Sequence, residues 1–511
     1  MIRTARRTHY RVTLAVLSVG VASFALVQSL TIPVLPRIQE ELGTTPSTVT
    51  WVVTAYLVSA SIFTPLAGRL GDATGKERVL VYALGLLALG SVVAAVAPNV
   101  AVMIAARVIQ GIGGGVLPLA FGIIRDEFPE PKIAGAISFV SALMGAGGGF
   151  GTVVAGPLVD SLGYAWLFWL PALVTGAAAV AAWLLVPESP VRTPGRIPLA
   201  PTLLFAGWLT ALLIGISEGS RAGWASPLVL GLLAAALVLC VGWVQVERRV
   251  RVPFIDLRMM RLPAVWTANL VAFLVGVGMY ASFAFTPRLL QTDPSVAGYG
   301  FGATITESGL LMLPSALGTF VMGFVSAPLT RIRGAKPVVV VGCLISAVGL
   351  GSMGLVHHAP WQTAVASGLF GIGLGATFAC LASLVVAAVP PEQTGVATGM
   401  NANIRTIGGA VGSAVMATIV TGHLGRGGEP KESAYVGGFL FLGAALLVAA
   451  LVALAIPKAT SRAREDGGER QMLEPSGGAT GVAGSEPAVP SPVAGRSRSS
   501  VKAVIDRDPY V

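Results

Sequence analysis

The chain has 511 residues, of which 54% are hydrophobic and only 11% charged, whereas water-soluble domains carry about a quarter charged residues. A mean hydropathy of +0.78 with long apolar runs excludes a water-soluble globular protein, and the 64 glycines and 33 prolines show no collagen-like period. The formal charge of +10 names no partner until the basic residues are located along the chain.

A helix needs about 20 mostly apolar residues to cross a hydrocarbon core of about 30 Å. Runs of that kind, ended by charges, proline or glycine clusters, predict fourteen spans at 12–35, 50–68, 79–97, 100–123, 134–158, 164–186, 199–217, 226–246, 264–287, 305–328, 336–356, 361–388, 397–421 and 435–456. Arg3, Arg6, Arg7 and Arg11 precede the first run as in a signal peptide, but the run is too long for one and lacks a cleavage site, so it is expected as a retained helix. With the N-terminus inside, 27 of the 34 Lys and Arg fall in inner segments and five outside: Arg37, Arg221, Arg288, Arg426 and Lys431. Arg107 and Arg405 lie within spans. The positive-inside rule then predicts cytoplasmic termini and a multi-pass protein of the cell membrane. Topology accounts for the basic charge, which removes the main support for a nucleic-acid partner. The Gly-, Ser-, Pro- and Arg-rich stretch 458–511 is expected to be a disordered tail. The three cysteines sit in apolar runs without a CxxC pair, and the four histidines fall in termini or loops, so neither a disulfide, a metal site nor any other cofactor is expected.

An internal repeat is visible. Gly111, Gly113 and Gly115 recur as Gly371, Gly373 and Gly375, Gly135 as Gly395, and Gly148–Gly149 as Gly408–Gly409, all at an offset of 260. Two six-helix bundles are therefore expected at 12–187 and 264–457, after a short N-terminus at 1–11. Two inserted helices at 198–247 and an inner linker at 248–263 separate the bundles. Related halves around a midplane site are the logic of a secondary transporter, and no nucleotide-binding loop of the Walker type is present.

The motifs add a family resemblance. The stretch WVVTAYLVSASIFTPLAGRLGDATGKERVL resembles the signature between helices 2 and 3 of the major facilitator superfamily, with Gly68, Leu70, Asp72, Gly75, Lys76 and Leu80 in the expected places. Ala73 and Glu77 stand where that signature is usually basic, so the charge network is thinner or is completed by Arg78. Asp72 can pair with basic residues or cap a facing helix in one state of a gate; the plainer alternative is an Asp that only ends a helix. MIAARVIQGIGGGVLP is similar to the family's helix-4 motif through Arg107, Gln110, Gly111 and Gly113. An arginine in a span faces a wet cavity or anchors neighbouring carbonyls. GVATGMNANIRTIGGAVGSAV, VERRVRVPFIDLRMM and ESGLLMLPSALG resemble segments of the fourteen-helix drug:proton antiporter branch. Asn401 and Arg405 share a helical face, as cavity lining or as interhelical glue.

There are two departures from the pattern. The branch's helix 5 carries GP followed by GG, where this chain keeps Gly147, Gly151 and Gly156 but has Thr152 at the proline and Ala155 at the next glycine. In helix 1, Val27 stands where the branch has an acid, followed by Gln28 and Thr31. The resemblance implies a major facilitator fold and proton-driven efflux of small amphipathic organic compounds by alternating access. Gln28, Thr31, Tyr56, Arg107, Gln110, Asn401 and Arg405 are the candidates for binding or coupling, with protons as coupling ion and membrane lipid as surroundings. An importer or uniporter of a small metabolite is the alternative within transport. A membrane-embedded enzyme or receptor is disfavoured, because no histidine and no pair of carboxylates lies within a span.

Overall fold

The computed structural model describes residues 9–189, 198–250, 253–423, 425 and 429–457. The stretch at 458–511 expected as a disordered tail lies outside the described residues. Among the described residues, fourteen helices are long and apolar enough to span a membrane. We label them α1 (Tyr10–Val34), α2 (Trp51–Thr74), α3 (Lys76–Ala95), α4 (Val100–Glu127), α5 (Glu130–Leu162), α6 (Trp166–Leu185), α7 (Leu199–Gly219), α8 (Pro227–Glu247), α9 (Pro263–Gln291), α10 (Ile305–Arg333), α11 (Ala335–Leu355), α12 (Pro360–Ala388), α13 (Pro391–Thr421) and α14 (Glu432–Ala453). Their ends follow local chemistry. Asn99 and Ser226 accept backbone N–H bonds that cap α4 and α8, and Thr304 with Glu307 forms a reciprocal capping box on α10. Glu307 is thus spent on its own helix start, and Glu218 pairs with Arg221.

One clear difference from the sequence expectation is at the α4–α5 turn. Cutting the chain at its first charges predicts a loop at 124–133. The helices instead run through Glu127 and resume at Glu130, because Arg125 and Asp126 find partners inside the protein.

Helix pairing repeats. The contacts α1–α5, α2–α4, α3–α4, α3–α6 and α1–α6 recur as α9–α13, α10–α12, α11–α12, α11–α14 and α9–α14. The glycines explain why. Gly111 and Gly115 let α4 approach Ser59 and Ala67 of α2, and Gly113 faces Ala83 and Leu87 of α3. Their repeats Gly371 and Gly375 face Ser315 and Thr319 of α10, and Gly373 faces Gly342 and Ser346 of α11. In α5 and α13 the packing sets a different register from the sequence expectation. Gly147 and Gly151 meet Ala25 and Ser29 of α1, and their counterparts against α9 are Gly408 and Gly412, an offset of 261 rather than 260. One added residue between the two segments is enough to shift it.

The first six helices meet the last six chiefly along α5–α10 and α2–α13. The inserted pair α7–α8 packs on itself, and α7 also lies against both α2 and α13. Ser217 shares a hydroxyl hydrogen bond with Thr54 of α2 at 3.1 Å, and the Trp224 indole donates to Thr418 of α13 at 2.9 Å. Phe205, Trp208, Trp243 and Phe254 form an aromatic cluster that joins α7, α8 and the following segment.

Candidate functional site

At one end of the bundle, Gly75 alone connects α2 to α3. Its φ of 121° is open to glycine but not to ordinary residues, and a Cβ there would meet the Glu188 carboxylate at 2.6 Å. The tight turn brings Asp72 and Lys76, four residues apart, together across the break. Lys76 Nζ lies 3.5 Å from Asp72 Oδ1 and donates to Asp126 Oδ2 of α4 at 2.6 Å. All three side chains are almost wholly buried. Gly122, one turn before Asp126, leaves the space that the Lys76 stem occupies. The Ser189 hydroxyl donates to the same Asp126 oxygen. A buried ammonium with two carboxylates is costly to disturb: removing one partner of a buried pair destabilises by about 3–5 kcal/mol.

This cluster reaches across to the other half. Asp72 Oδ2 accepts from the Val396 N–H at 3.4 Å, in the first turn of the regular α-helical part of α13, where backbone N–H groups are free and the helix dipole favours an anion. Gly68 and Gly395 bring the two backbones together, since a Cβ on either would strike the other's carbonyl. Arg125 donates to Thr394 Oγ1 at 2.8 Å. Arg78, one of the two ways the thinner motif could have been accommodated, turns outward and pairs with Glu188 at 3.1 Å. Asp126, Arg125 and Ser189 were missed by the sequence reading. The available signal was the four-residue spacing of Gly122 and Asp126 in a helix that continues past residue 123.

Arg107 is wholly buried within the first six helices. Its Nε donates to the Val52 carbonyl at 3.0 Å, and Nη1 donates to the Val27 carbonyl at 3.3 Å and to Gln110 Oε1 at 2.7 Å. The guanidinium lies 4.4 Å from the Tyr56 ring centroid, and Gln110 donates to Ser91 at 2.8 Å. These bonds tie α1, α2 and α3 to α4. The position where the branch has a helix-1 acid therefore presents its backbone carbonyl to an arginine. Thr31 is buried beside the turn Ile32–Val34. Gln28 donates to the Tyr280 hydroxyl of α9 at 2.9 Å, a bridge between the halves.

Asn401 and Arg405 do share one face, and it lines a cavity between α4, α5, α12 and α13 together with Phe121, Ser141, Phe378 and Thr398. The cavity has room for about one water. Asn401 donates to Asn269 Oδ1 at 2.9 Å, and the Arg405 guanidinium lies 4.4 Å from the Phe378 ring centroid. Among the described residues no carboxylate lines this cavity. Asn403 is buried with neither amide atom hydrogen-bonded among the described residues. Gly147, Gly151 and Gly156 set the approach of α5 to α1 and α10, and Thr152 donates to the Gly149 carbonyl at 2.7 Å. Among the described residues no group of three or more His, Cys, Asp or Glu could hold a metal ion.

Fourteen spanning helices with a repeated pairing pattern and a buried charge cluster between the repeats define a multi-pass membrane protein of transporter architecture. The family model described as Major Facilitator Superfamily matches residues 17–413, with a second match at 269–504, and the chain belongs to that superfamily. It is 31% identical over 436 residues to the cephamycin export protein CmcT of Amycolatopsis lactamdurans, covering 82% of this chain and 86% of that protein. It is 27% identical over 392 residues to a multidrug resistance protein B homolog of Mycobacterium tuberculosis, covering 75% and 71%. The tetracenomycin C resistance and export protein of Streptomyces glaucescens is 27% identical over 421 residues, covering 81% and 76%. The crystal structure of the human organic anion transporter MFSD10 shares the fold, with a TM-score of 0.62 over 87% of this chain and 99% of that one at 16% identity.

Proposed function

We propose that this chain is a secondary active exporter of small amphipathic organic compounds in the cell membrane, driven by the proton gradient through alternating access. Both termini face the cytoplasm, and the halves 12–187 and 264–457 rock about the cavity between them. The observation that carries this reading is the Asp72–Val396 contact, a buried carboxylate of one half held by a helix start of the other. Opening that end separates the carboxylate from the N–H groups and admits water to both, so the contact has a different energy in each state. The names of the export and resistance relatives support the direction of transport. Lys76 faces two carboxylates, those of Asp72 and Asp126, and this buried cluster is the coupling element in this proposal.

Arg405 gives the cavity its charge and Asn401 its polarity, so neutral or anionic amphiphiles are preferred over permanently charged cations. Arg107 and Gln110 act as a clamp holding α4 to its neighbours. Inverted vesicles loaded by each class of compound, with and without a proton gradient, test the proposal. Gradient-dependent accumulation of an anionic amphiphile that is lost in Arg405→Ala is expected. Saturable transport of a quaternary ammonium dye, unchanged in Arg405→Ala, contradicts the assigned cavity charge.

A further inference from the structure

A second, larger cleft lies away from the central cavity, where α8 ends and the chain leads into α9. It encloses about 580 Å³ and is lined by Arg248, Arg258 and Arg261, with Glu247 and Asp256 as its acids. Both acids are already in use. Glu247, in the last turn of α8, is buried, and its Oε1 accepts the Ile255 N–H at 2.7 Å, which folds the segment back on the helix. Asp256 Oδ1 accepts the Arg258 N–H at 2.8 Å and starts the short helix Leu257–Met260. Phe254 and Ile255, both buried, anchor the fold-back.

The three guanidinium groups are left without a carboxylate or carbonyl partner among the described residues. Three exposed arginines elsewhere do have carboxylate partners among the described residues: Arg37 with Glu40 and Glu41, Arg78 with Glu188, and Arg221 with Glu218. Three unpaired guanidinium groups around one cleft are the donor set for a phosphate group, which takes bidentate N–H bonds. Glu247 adds the opposite polarity, since its Oε2 has no hydrogen-bond partner among the described residues and is the acceptor a ligand hydroxyl would take. We propose that this cleft binds a phosphate group bearing a neighbouring hydroxyl, the chemistry of a phosphoglycerol headgroup. The cleft lies at the same end of the bundle as Asp72, because α2 and α8 both end there in an alternating array of spans. That places it at headgroup depth, where basic pockets between spanning helices hold anionic lipids.

The test uses the purified full chain in detergent, titrated with dioctanoyl-phosphatidylglycerol, dioctanoyl-phosphatidylcholine, glycerol 3-phosphate and inorganic phosphate. Saturable binding of phosphatidylglycerol over phosphatidylcholine is expected. The triple variant Arg248→Gln/Arg258→Gln/Arg261→Gln should bind about a hundredfold more weakly, at about fivefold per guanidinium. The charge-matched variant Lys132→Gln/Arg333→Gln/Lys336→Gln should stay within about twofold, since only general surface charge changes. If the triple variant does not purify as a monodisperse protein, Arg258→Gln alone should show the fivefold loss. Binding of glycerol 3-phosphate as tight as that of the lipid assigns the site to a soluble ligand; binding of the lipid alone assigns it to the membrane. Absence of binding by all four probes, or equal weakening in the two triple variants, overturns the proposal.

Discussion

The two main junctions between the halves are built alike and charged differently. The α2–α3 turn consists of Gly75, and its repeat between α10 and α11 consists of Gly334, also at positive φ. Three residues before these glycines stand Asp72 and Arg331. Each reaches the start of the facing helix: Asp72 accepts the Val396 N–H of α13, and Arg331 donates to the Pro131 carbonyl of α5 at 2.6 Å. Asp72 is buried, matched to the helix dipole and tied to Lys76 and Asp126, whereas Arg331 is exposed and has a single bond. The α5–α10 junction is closed instead by small residues along its length, from Gly156 against Thr306 to Gly323 against Ala142. One junction is held by packing that is the same in water or lipid. The other is held by a charge cluster whose stability depends on staying dry, and that is the junction able to switch.

Substitutions can break this comparison in graded steps. Lys76→Ala should have the largest effect, leaving two buried carboxylates without their cation at a cost of about 3–5 kcal/mol. Vesicle transport should fall to background, and the purified protein should melt at a lower temperature. Gly68→Ala puts a methyl into the Gly395 carbonyl, so transport should fall at least about tenfold at unchanged membrane level, because closely packed backbones do not yield. Gly135→Ala, in α5, has open space around it and should stay within about twofold. Asp72→Asn keeps an acceptor but loses the charge, and a loss of about tenfold in rate matches the energy of an anion at a partly buried helix start. Smallest of all, Arg331→Gln should change transport by less than about twofold, as expected of an exposed single bond. Equal effects of Asp72→Asn and Arg331→Gln in the same assay would remove the distinction between the junctions.

The sequence made some of this legible and hid the rest for physical reasons. Apolar length alone determines a span, so all fourteen helices could be read, with ends that shift where charges stay inside. Gly68, Asp72, Gly75 and Lys76 are local in sequence and could be placed together before any contact was known. The distant partners of this pair are Asp126, 50 positions from Lys76, and Val396, 324 positions from Asp72, and nothing local announces them. The Gln28–Tyr280 bridge has the same character, its ends lying 252 positions apart. For Arg107 the sequence left a wet cavity and carbonyl anchoring both open; in the structure the side chain is buried and donates to the Val27 and Val52 carbonyls. The 260-residue offset reads well where glycines repeat on one helix face and slips by one where a segment has gained a residue.

The central claim is that the Asp72 contact holds the α2–α13 junction closed while the α5–α10 junction stays packed. Spin labels at Thr74→Cys and Gln393→Cys, with Cys240, Cys343 and Cys380 replaced by serine, report the separation of α2 and α13 by electron–electron double resonance. A second pair at Lys132→Cys and Arg333→Cys reports α5 against α10. The account predicts that adding Asp72→Asn shifts the first distribution to longer distances and leaves the second in place. An unshifted first distribution, or equal shifts in both, would contradict it.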